Sequence, residues 1–149
     1  MSHLGRTRGL PLVITLLACA GSPPTDIGDF AARLAPCPSS PNCVSSDDES
    51  ERHHIAALGF GGDPLEAWHR ALAAVAALPR TQILREYSGY LHAQCTSALL
   101  RYRDDLELQL RPDRGEIAVR SASRIGYSDL GVNRARIEAL RAAFGAGGS

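Results

Sequence analysis

The sequence predicts an α+β domain in which two helices pack on one face of a four-stranded antiparallel sheet. Two amphipathic helical patterns flank four consecutive strand patterns, and short turn signals join those strands in pairs. The 149 residues, 44% of them hydrophobic and 21% charged, are typical of one globular domain. The 16 basic residues of the chain balance its 16 acidic ones, so the formal net charge is zero. This balance argues against binding to nucleic acid, which favours a basic excess.

The N-terminus has the pattern of a bacterial export signal. A basic region and a short apolar run lead to Leu16-Leu17-Ala18-Cys19, which resembles the lipobox of bacterial lipoproteins. In that pattern residues 1–18 are removed and Cys19 is acylated, whereas an ordinary secretory signal would be cut nearby, for example after Ala20. We therefore expect a cell-envelope protein anchored to the membrane by its lipid, on the outer membrane facing the periplasm if the host is Gram-negative.

Three cysteines remain for the mature chain. Cys37 and Cys43 lie six residues apart in a turn that two prolines stiffen, and thiols outside the cytosol tend to oxidise, so we expect a disulfide between them. Cys95 falls in a strand pattern and is expected to be a small buried hydrophobe. The alternative, a metal site that adds His53 and His54, lacks the ligand spacings of structural zinc, and we expect no metal and no cofactor.

The domain is predicted over residues 37–145, after a tether over residues 19–36 that contains Pro and Gly and shows little periodicity. An acidic stretch over residues 47–51 has the composition of solvated surface. The first helix is predicted over Pro64–Leu78, since Asp63 is a natural N-cap and proline suits the first helical position. Its apolar stripe consists of Leu65, Trp68, Leu72 and Val75.

Four strand patterns follow the first helix: Thr81–Tyr87, Tyr90–Thr96, Tyr102–Arg111 and Glu116–Ser123. Ser88-Gly89 is a two-residue hairpin signal between the first two strands. Pro112-Asp113-Arg114-Gly115 suits a tight turn between the last two. The short connections favour an up-and-down meander.

The register of the last two strands follows from that turn. If Arg111 faces Glu116, then Glu107 stands opposite Arg120, and apolar side chains separate cleanly from charged ones. In the first hairpin, pairing Tyr87 with Tyr90 places Leu84 on the apolar face and Ile83 on the other one. That second face also carries Tyr87, Tyr90 and His92, which are either partly covered surface or a contact for a partner.

The second helix is predicted from about Arg134 to Phe144. Asn133 is its expected N-cap, and Val132 is placed to pack on Ile137 as a hydrophobic staple. Its apolar stripe consists of Ile137, Leu140 and Phe144.

Two long motifs carry a family resemblance. They are Cys37-Pro38-Ser39-Ser40-Pro41-Asn42-Cys43-Val44-Ser45-Ser46 and the stretch from Arg120 to Arg134, with Asp104-Asp105-Leu106-Glu107 between them. Together they make the chain, from about Leu34 to Phe144, resemble the domain-of-unknown-function family 1499. Members of that family appear in bacterial envelopes and photosynthetic organelles without a settled activity, so the resemblance implies a fold and a candidate site but no reaction.

The motifs and the predicted register bring many polar side chains to one region. This candidate site comprises Asp105, Glu107, Arg120, Ser121, Ser123, Arg124, Asp129, Asn133, Arg134, Ser45 and Ser46. One interpretation is structural: ion pairs between arginines and carboxylates hold the cysteine loop and the loop over residues 124–134 against the sheet. The second is a ligand site, since an arginine left free and a helix N-terminus both favour anions.

We expect a non-enzymatic binding domain for a small anionic or carbohydrate-like ligand, or for an envelope protein. One alternative is an envelope hydrolase that uses Asp105 and Glu107 or the motif serines, although a carboxylate opposite an arginine is a poor acid. The other alternative is a structural or assembly factor that has no ligand.

Overall fold

The computed structural model describes residues 33–98 and 101–148, which form an α+β fold. The helices are α1 (Pro64–Ala77) and α2 (Val132–Ala146). The strands, in chain order, are β1 (Cys43–Ser45), β2 (Leu58–Gly59), β3 (Thr81–Tyr87), β4 (Tyr90–Thr96), β5 (Arg103–Arg111) and β6 (Glu116–Ser123). The predicted signal peptide, Cys19 and the tether up to residue 32 lie outside the described residues. Within the described ranges, no helix has the length and apolar character that crossing a membrane requires.

The sheet is antiparallel, and its spatial order is β1-β6-β5-β4-β3, with β2 also paired to β6. The predicted meander of four long strands is therefore confirmed, but the predicted strand number is too low because β1 and β2 extend the sheet beside β6. Strands of three and two residues are too short to show the alternation of apolar and polar side chains by which the longer ones are recognised.

The predicted register between β5 and β6 is correct along their whole length. Arg111 pairs with Glu116, Glu107 pairs with Arg120, and the pairing continues without a slip to Asp104. Because side chains alternate along a strand, one face of the sheet receives the leucines and the other receives the charges. The turn between the strands is a short 3-10 helix, Pro112–Arg114.

The first hairpin has the predicted turn but a different register near its open end. Ser88 and Gly89 both have positive φ, 41° and 81°, as a two-residue turn of type I′ requires. An irregularity between Ile83 and Arg85 adds one residue to β3, so that Ile83 pairs with Ala93. The prediction that Ile83 shares the charged face is therefore wrong, because the bulge reverses the alternation of the residues before it.

Helix α1 begins as predicted and ends one residue earlier. The Asp63 carboxylate accepts hydrogen bonds from the backbone N–H groups of Leu65 and Glu66, at 2.7 and 3.0 Å. The predicted stripe is wrong at Leu65, which is 60% exposed. The buried face instead consists of Ala67, Trp68, Ala71, Ala74 and Val75, and its small side chains let the helix approach the sheet closely.

Helix α2 begins at Val132, and Gly131 with φ 83° occupies its N-cap position. The prediction that Asn133 is the N-cap is wrong, since Asn133 lies in the first turn and is fully buried. The carboxylate of Asp129 takes the capping role by accepting from the N–H groups of Gly131 and Asn133 at 3.1 and 2.8 Å. Val132 is 44% exposed.

The hydrophobic core lies between the two helices and one face of the sheet. The helices supply residues such as Trp68, Val75, Ile137 and Leu140, and the sheet supplies Leu91, Leu106, Leu108, Ile117 and Val119. We call the opposite face of the sheet, which carries Tyr90, His92, Asp105, Glu107 and Arg120, the distal face.

The predicted disulfide between Cys37 and Cys43 is present, with an Sγ–Sγ distance of 2.03 Å. Cys95 is buried as predicted, and its thiol is free. Within residues 33–98 and 101–148, no group of three or more His, Cys, Asp or Glu side chains is arranged to hold a metal ion. His53 and His54 instead contact the backbone carbonyls of Cys43 and Asp48 through Nδ1, both at 2.9 Å.

Candidate functional site

The sheet separates the polar residues of the candidate site into two networks on its two faces. Odd-numbered positions of β5 and even-numbered positions of β6 point to the distal face, while Asp104, Ser121 and Ser123 point toward α2. The structure therefore brings Asp105, Glu107, Arg120 and Arg124 together on the distal face, whereas the serines of β6, Asp129 and Asn133 lie on the other face. Each network has its own chemistry.

The distal face carries a row of polar residues that crosses the sheet. Arg85 pairs with His92, His92 with Glu107, Glu107 with Arg120, and Arg120 with Ser45. The central three are buried, with exposures of 2% for His92, 1% for Glu107 and 8% for Arg120. Charged groups this deep in a protein are uncommon unless they are paired.

Glu107 is the acceptor at the centre of this row. The Arg120 Nη1 group donates to its Oε2 atom at 2.8 Å, and the Tyr90 hydroxyl donates to its Oε1 atom at 2.8 Å. Burial, together with the neighbouring Glu107 carboxylate, raises the pKa of Tyr90, so the phenol stays protonated and remains a donor. The expected juxtaposition of Glu107 and Arg120 is confirmed.

Asp105 is the second acceptor and lies two residues before Glu107, on the same face of β5. Arg124 binds it with two bonds, Nε to Oδ2 at 2.9 Å and Nη2 to Oδ1 at 2.7 Å, and His92 Nε2 lies 2.7 Å from Oδ1. Burial acts to raise the pKa of Asp105, but the hydrogen bonds from His92 and Arg124 outweigh it and lower the pKa. Since an ionised carboxylate only accepts, we assign a proton to Nε2 of His92, as in the Nε2–H tautomer.

Two buried nitrogen atoms of the distal face have no hydrogen-bond partner within the described part of the chain: Nδ1 of His92 and Nε of Arg120. They lie on either side of Glu107 in the row. In the tautomer assigned above, His92 Nδ1 is an acceptor, whereas Arg120 Nε–H is a donor. A buried polar group without a partner costs roughly 1–3 kcal/mol, so both atoms call for an explanation.

The network on the other face is centred on the fully buried side chain of Asn133. Its amide nitrogen lies within hydrogen-bond distance of three acceptors, the Asn42 carbonyl at 3.0 Å, Ser123 Oγ at 2.9 Å and Asp129 Oδ2 at 2.8 Å. Its amide oxygen accepts from Ser121 Oγ at 2.6 Å. We call this set the Asn133 network, and it joins the cysteine loop, β6 and the start of α2.

Arg136 completes the Asn133 network and was missed by the sequence analysis. Its Nη1 donates to Asn133 Oδ1 at 2.6 Å and to Ser121 Oγ at 2.9 Å, and its Nη2 donates to Asp104 Oδ2 at 2.5 Å. The signal was present, because Arg136 follows Asn133 by three residues and such residues share a helix face. Every polar side-chain group of this network has a partner, which supports the structural interpretation for it.

Three further predicted site residues, Ser45, Ser46 and Arg134, use their side chains for contacts outside both networks. Ser46 Oγ accepts from the N–H of Val119 at 3.0 Å, and Arg134 Nη2 donates to the carbonyl of Arg52 at 3.1 Å. Ser45 ends the distal row but uses its hydroxyl to accept from its own loop, at the N–H of Asp47.

Asp47 anchors the chain segment that enters the domain, and the prediction of solvated surface is wrong for it. Arg111 binds its two carboxylate oxygens at 2.7 and 2.6 Å, and the N–H of Leu34 donates to it at 2.7 Å. Burial acts to raise the pKa of Asp47, but these bonds outweigh it and the pKa is lowered. Leu34 thereby packs on Tyr90 and Ala118 of the distal face.

A family model described as a protein of unknown function, DUF1499, matches residues 33–144. This range covers most of the chain and includes both helices nearly to the end of α2, so the chain belongs to that family. No curated protein matches the chain, and no solved structure matches it.

We predict that Asn133→Ala destabilises the fold strongly. The substitution leaves several buried groups without partners, and we expect the free energy of unfolding to fall by roughly 3 kcal/mol. Urea denaturation measures this change. Glu138→Gln, at an exposed position of the same helix, is the control and should shift the free energy by less than about 0.5 kcal/mol. Equal effects of the two substitutions would contradict the role given to Asn133.

We predict that Asp105 titrates below its ordinary pKa of 3.8 in the folded chain. Because the folded pKa is lowered, the ion pair contributes its full stability above the unfolded value and loses it as pH falls through the folded pKa. The carboxyl carbon of Asp105, followed by NMR, should report a midpoint under 3.8, and Arg124→Gln should raise that midpoint. A midpoint above the ordinary value in the unsubstituted chain contradicts the geometry.

Proposed function

We propose that this member of the DUF1499 family is a lipid-anchored protein of the cell envelope that binds a carbohydrate-like ligand on its distal face and catalyses no reaction. The observation that carries the proposal is a pair of buried nitrogens, His92 Nδ1 and Arg120 Nε, that have no hydrogen-bond partner among residues 33–98 and 101–148. Unpaired buried polar atoms are rare in folded proteins, and a bound ligand is one way to satisfy them.

The cost of the buried charges supports a functional role for the distal face. Replacing a buried ion pair by well-packed apolar residues is often neutral or stabilising, so such pairs are weak contributors to stability. The core on the other face already supplies apolar burial to this sheet. Charge-paired groups with a shifted pKa, such as Asp105, cluster at functional sites.

The chemistry of the two nitrogens favours a neutral polyhydroxyl ligand over a small anion. A hydroxyl group both donates and accepts, so one ligand with several hydroxyls satisfies His92 Nδ1 and Arg120 Nε together. An anion only accepts, and it would also meet the carboxylates of Asp105 and Glu107, which already engage Arg124 and Arg120. Carbohydrates have the required hydroxyls.

The aromatic pair next to the row suits the same ligand class. Tyr87 and Tyr90 stack with their ring centroids 5.3 Å apart, two residue pairs away from the Arg85–His92 pair along the hairpin. Aromatic rings combine a large apolar surface with a polar hydroxyl. Tyr90 is buried under Leu34, so the half-buried ring of Tyr87 is the one that offers this surface to the C–H groups of a sugar ring.

The hydrolase alternative draws less support from this geometry. Asp105 accepts three hydrogen bonds from cationic or imidazole donors, and its lowered pKa makes it a poor general acid. The hydroxyls of Ser121 and Ser123 are engaged with the Asn133 side chain on the opposite face of the sheet.

The envelope location rests on the N-terminal pattern. Leu16-Leu17-Ala18-Cys19 follows a basic and apolar leader, and the disulfide between Cys37 and Cys43 suits an oxidising compartment. A lipid on Cys19 would hold the domain at the membrane through its acyl chains, each buried methylene contributing about 0.8 kcal/mol.

The ligand proposal is tested with variants that keep each ion pair but remove one unpaired nitrogen. Arg120→Lys retains a cation for Glu107 without the Nε group, and His92→Gln retains a donor for Asp105 without Nδ1. Calorimetry with a panel of neutral disaccharides of N-acetylated amino sugars should show binding to the unsubstituted full chain. We expect each variant to weaken that binding by roughly tenfold, the effect of about one buried hydrogen bond.

Two controls decide between the possible results. Arg114→Lys, at an exposed position on the turn after β5, should leave the affinity unchanged. The monoanionic uronic acid relatives of the same sugars should bind more weakly than the neutral forms. Tighter binding of the anionic sugars contradicts the ligand class, and an unchanged affinity in Arg120→Lys contradicts the site.

The anchor is tested by metabolic labelling with radioactive palmitate in a bacterial host. The full chain should carry the label and sediment with membranes, and Cys19→Ser should abolish both. Cys95→Ser removes the buried free thiol of the domain and is the matched control that keeps the label. Label that persists in Cys19→Ser contradicts the lipoprotein proposal.

A further inference from the structure

A cavity of about 340 Å³ lies on the helix side of the sheet, away from the distal face. The end of α1, the turn into β3, the end of β4 and the first turns of α2 surround it. Its volume lies near the lower end of the roughly 300–1,000 Å³ that is usual for ligand pockets. None of the residues on the distal row contributes to it.

The walls of this cavity are largely apolar. Leu78, Pro79, Val132 and Ala139 contribute aliphatic surface, and the buried thiol of Cys95 contributes to its lining. Val132 is 44% exposed although it is a large hydrophobic residue. Among the described residues that line the cavity there is no Asp or Glu, so its charge balance is positive.

Arg80 is held in the lining of the cavity by β4. Its Nε donates to the carbonyl of Thr96 at 3.0 Å, and its own carbonyl accepts from the N–H of Thr96, also at 3.0 Å. These bonds fix the guanidinium and leave its Nη groups without a hydrogen bond to the described residues. Arg80 also adopts φ 53°, a conformation that side-chain-bearing residues rarely take.

Arg136, the other arginine in the lining, is already neutralised. Its two Nη groups donate to Asp104, Ser121 and Asn133. Within the described lining, Arg80 is thus the cation whose terminal nitrogens are available to a ligand. An arginine fork matches a carboxylate, which it binds through two parallel hydrogen bonds.

We propose that this cavity binds a free fatty acid, whose hydrocarbon chain fills the apolar space and whose carboxylate pairs with Arg80. The apolar walls match a hydrocarbon chain, and the absence of acidic side chains from the described lining matches an anionic head group. The small volume suits one chain and excludes a two-chain phospholipid. This site is independent of the proposed carbohydrate site, because the two lie on opposite faces of the sheet.

The proposal is tested by calorimetry with dodecanoate on the full chain carrying Cys19→Ser, which needs no detergent to replace a lipid anchor. Dodecanoate should bind, and Arg80→Gln should weaken its affinity by roughly tenfold or more, as expected for loss of a charged hydrogen bond. Arg80→Lys should restore part of the loss. Arg114→Gln is the matched control at another exposed arginine and should have no effect.

A second pair of variants locates the hydrocarbon chain. Ala139→Phe places a ring in the cavity and should abolish binding, whereas Ala142→Phe, at an exposed position of α2 outside the lining, should leave it unchanged. Circular dichroism confirms that both variants keep their helices. Unchanged binding in Ala139→Phe overturns the location, and equal effects of both variants overturn it as well.

Head-group analogues test the chemistry. Dodecylamine reverses the charge and dodecanol removes it, so both should bind more weakly than dodecanoate. Equal or tighter binding of either compound overturns the ion pair with Arg80. Tighter binding of dodecyl phosphate than of dodecanoate overturns the fatty acid and indicates a lipid phosphate instead. Failure of dodecanoate to bind at all refutes this inference without bearing on the carbohydrate site.

Discussion

The pairing of β5 with β6 is the constraint on which both polar networks depend. Glu107 stands opposite Arg120 in this register, and Asp104, one position from Asp105, faces the other side of the sheet. A slip of one residue would exchange the faces, so that Glu107 would enter the hydrophobic core and Leu106 and Leu108 would leave it. Apolar burial therefore fixes the register, and the register places the charges.

The two networks differ in how completely their hydrogen-bonding groups are paired within the described residues. Around Asn133 each polar group has a partner, and the network joins three separate segments of the chain, the cysteine loop, β6 and the start of α2. Such a network orders the loops at one end of the sheet. On the distal face two buried nitrogens have no partner among the described residues, although the same strands support both networks. This difference is the basis of the proposed ligand site on the distal face.

Two arginines in this small domain illustrate how local geometry decides what a charge does. Both terminal nitrogens of Arg136 donate hydrogen bonds, one to Asp104 and the other to Asn133, so this arginine helps to hold the Asn133 network together. Arg80 is fixed through Nε, and its terminal nitrogens make no hydrogen bond to the described residues at the apolar cavity. The spacing of Arg136 from Asn133 is a signal for the first of these roles, whereas the sequence around Arg80 gives none for the second.

The sequence by itself determined the four long strands, both helices, the disulfide and the pairing of Glu107 with Arg120, because each rests on contacts between residues close in sequence. The tertiary structure decided which polar residues share a site. Asn133 was mistaken for a cap because its partners Asn42 and Ser121 are distant in the sequence, and the bulge beside Ile83 left no local signal. The unpaired nitrogens of His92 and Arg120 exist only once five strands are assembled, since burial and the loss of hydration are properties of the packed sheet.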